Sequence, residues 1–320
     1  MNYILVIPAR NEEQRLPLAL NSIIGQSLLP RLCLIVDDGS SDGTSRIISN
    51  YERAAVWIRH ICTEHPGKIS WSLSKRDIAH FARIVSQGIS VARRMCEEQG
   101  LTYEYIAKVD ADFVLPSDYF QKLLKRFDED DQLGIASGDA YLVENRDQAG
   151  NWTNLKHQRI LSDEPSDGAR VYRSSCYDGI GGLPLVGAPD SAALALARTL
   201  GWSTRRFKDL RIYATRKSVG GGSAWRGFRL SGMNAYACDY HPALVCMRVA
   251  YFVLHRPHYH SVAFALGYVS AAIRRDPKVA DERIRRYYRG QRLRELARLA
   301  LARIGGLRWK GWAFRSDRPR

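Results

Sequence analysis

This 320-residue chain contains no long uninterrupted apolar run. Its two apolar patches, residues 243–254 and 262–273, stop short of the roughly 18–20 residues needed to cross a bilayer. Arg248 interrupts the first patch, and His255-Arg-Pro-His-Tyr-His260 separates the two. Paired cysteines are also missing. Six cysteines are spread along the chain with no CxxC spacing, which excludes a disulfide framework and reads as reduced, mostly buried thiols. The first residues carry no basic lead and reach Arg10 and Glu12 too soon for a signal-peptide core, so the folded part is expected in the cytoplasm. No internal repeat is evident.

Hydrophobic residues make up 45% and charged residues 25%. That is the balance of a soluble globular protein, one large domain or a domain with an appendage, and it excludes wholesale disorder. The net charge of +15 points to a polyanionic partner: nucleic acid, anionic lipid or a phosphorylated substrate. From residue 274 to 320 there are 16 Lys and Arg against 5 Asp and Glu, so +11 of the excess lies in the tail. Ile284, Tyr288, Leu293, Leu296, Ala297, Ala300, Leu301 and Ile304 form an apolar stripe among those arginines. Such a stripe suits a helix lying on an anionic membrane surface, or one packed on the rest of the protein. Nothing accompanies the arginines that would favour nucleic acid, neither zinc-finger spacing nor an RNA-binding signature.

Through the first half, strand-length apolar runs alternate with helix-period segments. The pattern predicts a strand over 3–7, a helix over 12–24, a strand over 32–36, a helix over 77–96 and a strand over 105–109. This is the grammar of an open, mainly parallel α/β sheet flanked by helices, Rossmann-like, with ligands beyond the carboxyl ends of the strands. After the glycine-rich stretch Ser218-Val-Gly-Gly-Gly-Ser-Ala-Trp225 the composition changes. The expected division is therefore 1–215 for the catalytic or binding domain, and 216–320 for the loop, apolar interfacial helices and basic tail.

Three acidic motifs fall at predicted strand ends. Val6-Ile-Pro-Ala-Arg-Asn-Glu-Glu13 turns out of the first strand, with Asn11 available as an N-cap. Val36-Asp-Asp-Gly-Ser-Ser-Asp-Gly-Thr44 ends the second; helix capping accounts for Ser41 or Asp42 but not for Asp37 and Asp38. Tyr105-Ile-Ala-Lys-Val-Asp-Ala-Asp-Phe113 ends the third. Residues two apart on an extended chain project to the same side, so Asp110 and Asp112 are expected to share one patch of space. That pairing is tolerable around a cation or a hydrogen-bond donor; otherwise the acids simply mark a turn. The histidines of His255-Arg-Pro-His-Tyr-His260 lack helical spacing and a fourth ligand nearby, so they make a poor zinc site.

Taken together, "IPARNEE", "VDDGSSDGT" and "KVDADF" resemble the motifs of glycosyltransferase family 2, inverting enzymes with a GT-A fold. The resemblance implies a nucleotide diphosphate sugar donor, contacted by Pro8, Arg10, Glu12, Asp37, Asp38 and Asp110, and a divalent metal, Mg or Mn, on Asp112. It also implies a catalytic base. Asp190, after Gly181-Gly182 and before "SAALALARTLGW", matches the family's base, although Pro189 stands where a preceding acid is usual. Cations for the leaving diphosphate are expected from Arg216, Lys217 and Arg226 around the triple glycine, and from Arg83 in the helix before "KVDADF". Trp225 is a candidate for stacking on an acceptor sugar. The segments "YHPALVCMRVAYFVLHRP" and "ALGYVSA" resemble members that build bacterial surface polysaccharides. The expectation is a peripheral enzyme on the inner face of the membrane, acting on a lipid-linked or saccharide acceptor. A polyprenyl-phosphate glycosyltransferase and a non-catalytic nucleotide-sugar or nucleic-acid binding protein are the alternatives.

Overall fold

The computed structural model describes residues 1–64, 79–143, 145–146, 152–153, 155–157, 164–216, 224–255 and 257–304. Two units emerge: Met1–Leu185 with Leu200–Lys217, and Val186–Thr199 with Ser218–Arg320.

The first unit begins with β1 (Tyr3–Ala9), α1 (Leu16–Ile24), β2 (Leu32–Asp37), α2 (Thr44–Ala54), β3 (Ile58–Cys62), α3 (His80–Glu98) and β4 (Tyr105–Val109). β1 pairs in parallel with β2 and β4, and β2 with β3. Every residue of β2 and of β4 is buried, the signature of strands covered on both faces. There follow β5 (Phe113–Val114), α4 (Tyr119–Asp128), β6 (Leu133–Leu142), β7 (Asn145–Arg146), β8 (Trp152–Thr153), β9 (Lys156–His157), β10 (Ala169–Arg173), α5 (Ser174–Gly179) and β11 (Ser203–Ala214).

The main sheet runs β3-β2-β1-β4-β10-β6-β11-β5, with β9 on β6. It is mixed rather than mainly parallel, because β10 enters antiparallel to both β4 and β6. A parallel neighbour needs a crossover, usually a helix, and among the described residues no helix separates β6 from β10. The result is an α/β, Rossmann-like fold with a mixed sheet flanked by helices. Helix α3 lies tight on β1 and β2 at Gly88, where a Cβ would meet Val36 Cγ2 at 2.6 Å and Val6 Cγ1 at 2.8 Å. Ala82, Val85, Ile89, Ala92 and Cys96 bury its inner face. Helix α1 starts at Leu16, later than periodicity suggests. Asn11 is left-handed (φ 52°) and accepts the Ser41 amide on Oδ1 at 2.8 Å, so it ties two loops together and does not cap α1.

The second unit is helical: α6 (Pro189–Thr199), α7 (Ala224–Ala237), α8 (Pro242–Leu254), α9 (Tyr259–Ile273), α10 (Glu282–Arg286), a π-helical turn at Tyr287–Gln291 and α11 (Arg292–Ile304). α7 and α9 meet backbone to backbone. A Cβ on Gly232 would lie 2.0 Å from Phe264 O, and one on Gly267 2.0 Å from Arg229 O, so neither position accepts a side chain at this crossing. The start of the basic stripe is packed within this unit. Ile284 and Tyr288 are buried, Tyr288 Oη donates to Ser191 O at 3.1 Å, and Arg198 Nη1 donates to Tyr287 Oη, which donates to buried Glu295. Leu301 further along is exposed. Among the described residues, no helix is long and apolar enough to cross a membrane.

Candidate active site

The acids gather at the carboxyl ends of β1, β2 and β4, where adjacent strands deliver them side by side. Ala9 pairs in register with Asp37, and the Asp38 amide donates to Ala9 O at 2.9 Å. Asp37 is buried and braces the loop after β2. Its Oδ1 accepts the Ser40 amide at 3.0 Å, and its Oδ2 accepts the Ser45 hydroxyl. Asp38 is set between Thr63 Oγ1, 3.1 Å from Oδ1, and His80 Nε2, 2.8 Å from Oδ2. Sequence reasoning missed His80; its only signal is a lone histidine opening the helix that follows β3.

Asp110 and Asp112 part company. β4 ends at Val109 and the chain turns, with the Phe113 amide donating to Asp110 O at 3.0 Å, so the alternation of an extended strand does not apply. Each carboxylate takes its own cation. Asp110 Oδ1 lies 2.8 Å from Lys108 Nζ, which also donates to Asp167 O at 2.6 Å. Burial pushes the Asp110 carboxyl up to about 7, against the lowering effect of the Lys108 charge. Lys108 is buried in mid-strand, two residues before Asp110, and that placement is the sequence signal for the pair.

Asp112 faces Arg216. The Thr215 amide and hydroxyl both donate to Asp112 O at 2.9 Å, which fixes the chain after β11 beside the turn after β4. Arg216 Nε then donates to Asp112 Oδ2 at 3.0 Å, while its Nη2 lies 2.9 Å from Glu12 Oε1. Glu12 is buried, and Arg15 Nη1 lies 3.7 Å from its Oε2, too long for a hydrogen bond. Burial raises the Glu12 carboxyl, the Arg216 charge opposes this, and the Asp112 charge adds to it. One guanidinium therefore neutralises two carboxylates from two motifs.

Among the described residues, no three His, Cys, Asp or Glu side chains converge on a metal position. A magnesium-type ion asks for less, commonly one or two carboxylates with the remaining ligands from water and substrate phosphates. Asp112 and Glu12, already arranged around one cation and with Glu12 Oε2 buried without a hydrogen-bond partner, fit that requirement.

The other expected residues are divided between the two units. Pro8 is half-buried within β1, Arg10 is exposed just beyond it, and Arg83 is exposed in the first turn of α3. In the second unit, Asp190 lies half-buried in the first turn of α6, Arg226 is exposed in the first turn of α7, and Trp225 is 6.3 Å from Tyr259, ring to ring. Lys217 and the triple glycine lie outside the described residues. His260 stacks on Phe228 at 3.7 Å, and His255 Nδ1 lies 2.8 Å from Tyr251 O.

Acids at the carboxyl ends of the strands of an open α/β sheet stand where ligands bind in such folds. The model of Glycosyl transferase family 2 matches residues 4–177, more than half of the chain, and the chain belongs to that family; it is a glycosyltransferase. Among solved structures it is similar to residues 1–349 of TarS from S. aureus in complex with UDP-GlcNAc: 17% identity, TM-score 0.54, 97% of this chain and 93% of that one. It is also similar to the mannosyltransferase PcManGT from Pyrobaculum calidifontis in complex with GDP-Man and Mn2+: 16% identity, TM-score 0.50, 94% and 80% covered. At these identities the likeness is one of fold. No curated protein matches the chain.

Proposed function

We propose that the protein transfers a sugar, with inversion, from a nucleotide diphosphate sugar to a hydroxyl of a membrane-borne saccharide acceptor. The observation that carries this reading is Arg216 held between Glu12 and Asp112 at the rim of the sheet. A cation-binding pair of acids next to a half-exposed arginine side chain is suited to a diphosphate, whose charge needs both a metal and a guanidinium. Asp38 and Asp110 accept hydrogen bonds from the nucleoside, and Pro8 and Arg10 line its edge. A divalent ion, when bound on Asp112, supplies positive charge to the departing diphosphate. Arg216, half exposed, moves its donors onto the phosphate oxygens, with Arg83, Lys217 and Arg226 as further cations. Asp190 takes the proton from the acceptor hydroxyl as the new bond forms.

Attachment to the inner face of the membrane is supported by α9, which exposes Val262, Leu266, Val269 and Ile273 at helical spacing, each at least half accessible. Arg274 and Arg275 follow directly.

The test is a thermal-shift panel of UDP-, GDP- and dTDP-sugars with and without manganese. A donor that binds the native state raises the melting temperature by mass action. One nucleotide sugar is expected to do so with a manganese-dependent increment; a panel with no shift at all rejects the reading.

A further inference from the structure

The second unit contains a cavity of about 150 Å3 beside the first turn of α6. Ala188 and Ser191, which flank Asp190, form one edge, and Gly227, Ser231 and Asn234 from one face of α7 form another. Arg248 of α8 and the paired rings of Tyr240 and Tyr288, 4.3 Å apart and 19° from parallel, complete it.

Arg248 is the unusual member. Several other cations of this unit have carboxylates: Lys278 and Arg289 on Asp239, Arg274 on Asp276, Arg283 on Asp281, Arg198 and Arg292 on Glu295. Arg248 is half-buried, has no carboxylate partner among the described residues, and is steadied only by the Phe264 ring, 5.6 Å from its guanidinium carbon. A partly desolvated guanidinium lining a cavity asks for an anion. Ser191 and Ser231 offer hydroxyls with no hydrogen-bond partner among the described residues, and the Asn234 amide nitrogen is already engaged with Gly187 O at 3.1 Å. Hydroxyls and an aromatic wall suit a polyol, and the guanidinium suits an acidic group attached to it. The volume accommodates a phosphate or carboxylate with a few ring atoms.

We propose that this cavity is an anion-reading acceptor subsite, in which Arg248 binds a phosphate or carboxylate of the acceptor close to the Asp190 turn. The inference rests on the transferase reading above and adds the acceptor's class: a saccharide or headgroup that carries an acid.

Titration calorimetry of the full chain with glucose 6-phosphate, glucuronate and glucose, all without donor, reads the subsite directly. At least one of the two anions is expected to bind at least about tenfold more tightly than glucose, as one charge-assisted contact requires. Arg248→Gln removes that preference and Arg248→Lys keeps part of it. Ser231→Leu fills the cavity while leaving the charge, and it too weakens the anion. Flotation with phosphatidylcholine vesicles, with and without a polyprenyl phosphate, separates the sources. Flotation that needs the lipid phosphate and Arg248 assigns a lipid headgroup, whereas binding confined to the soluble anions assigns an acidic sugar. Binding of none of these probes, equal binding of glucose and the anions, or anion binding unchanged in both Arg248→Gln and Ser231→Leu overturns the subsite. Because no donor is involved, this failure is distinct from a failure of the thermal-shift panel.

Discussion

Arg216 Nε donates to Asp112 Oδ2 at 3.0 Å, and the same guanidinium reaches across to Glu12 at 2.9 Å. The arginine thus competes with any other cation for these carboxylates. In Arg216→Gln that competitor is gone, so manganese binding measured without nucleotide, by electron paramagnetic resonance of free Mn2+, is expected to tighten. Donor binding is expected to weaken by about tenfold, the value of one charge-assisted contact to phosphate. Manganese affinity that is unchanged or weaker argues against a shared seat.

Asp112→Ala removes the carboxylate from that seat. Manganese-dependent donor binding and transfer are both expected to be lost, read by titration with the responsive nucleotide sugar and by product formation. Unchanged donor binding and turnover would show that the metal assignment is wrong.

Asp190→Asn keeps the shape of the α6 turn but cannot accept a proton. Transfer is expected to fall by about 10²–10⁴, the usual contribution of a general base, with donor affinity unchanged. Full turnover in this variant points instead to an acceptor that is already an anion, such as a polyprenyl phosphate.

The apolar row on α9 gives a membrane test that leaves the fold intact. Leu266 is half exposed, so Leu266→Glu changes surface and not core. Co-sedimentation with anionic vesicles is expected to drop severalfold, with the far-ultraviolet circular dichroism spectrum unchanged. Equal co-sedimentation would remove α9 from any membrane contact.

Asp281 caps α10, accepting the Arg283 amide at 2.9 Å, and its hydrogen bonds from Arg283 hold its carboxyl below the ordinary range. A folded-state pKa below the unfolded one stabilises the fold above the unfolded value, near 3.9, and that stabilisation is lost as pH falls through the lowered one. Asp281→Ala is therefore expected to cost about 1 kcal/mol at pH 7. The urea midpoints of the two proteins should converge as the solution is acidified through that lowered value; a gap independent of pH would exclude the carboxylate as its source.

The parallel half of the sheet is legible in the sequence because β1, β2 and β4 are covered on both faces and read as apolar runs, broken in β4 only by Lys108. Their exits are legible for the same reason, since acids following such runs stand out. β10 is not: Ala-Arg-Val-Tyr-Arg looks like a polar surface strand, yet Arg170 is buried and donates to the carbonyls of Pro165 and Ser166. The partner of Asp112 is hidden too. Arg216 reads as a basic residue beside a glycine loop, and only the Thr215 contact, 103 residues away in sequence, brings it to the turn. Asp110 and Asp112 look like one site by alternation, and the turn at Val109 separates their cations.

Helix α6 lies between two segments of the sheet unit in sequence, yet it groups with the carboxyl-terminal helices. Arg198 and Ser191 receive their partners from Tyr287, Tyr288 and Glu295, about a hundred residues downstream. A protein cut at residue 217 would keep this helix but lose the tyrosines that pair with Arg198 and Ser191. The carboxyl-terminal helices are thus no detachable cassette: grafting them from another protein means grafting a helix from the middle of the chain with them.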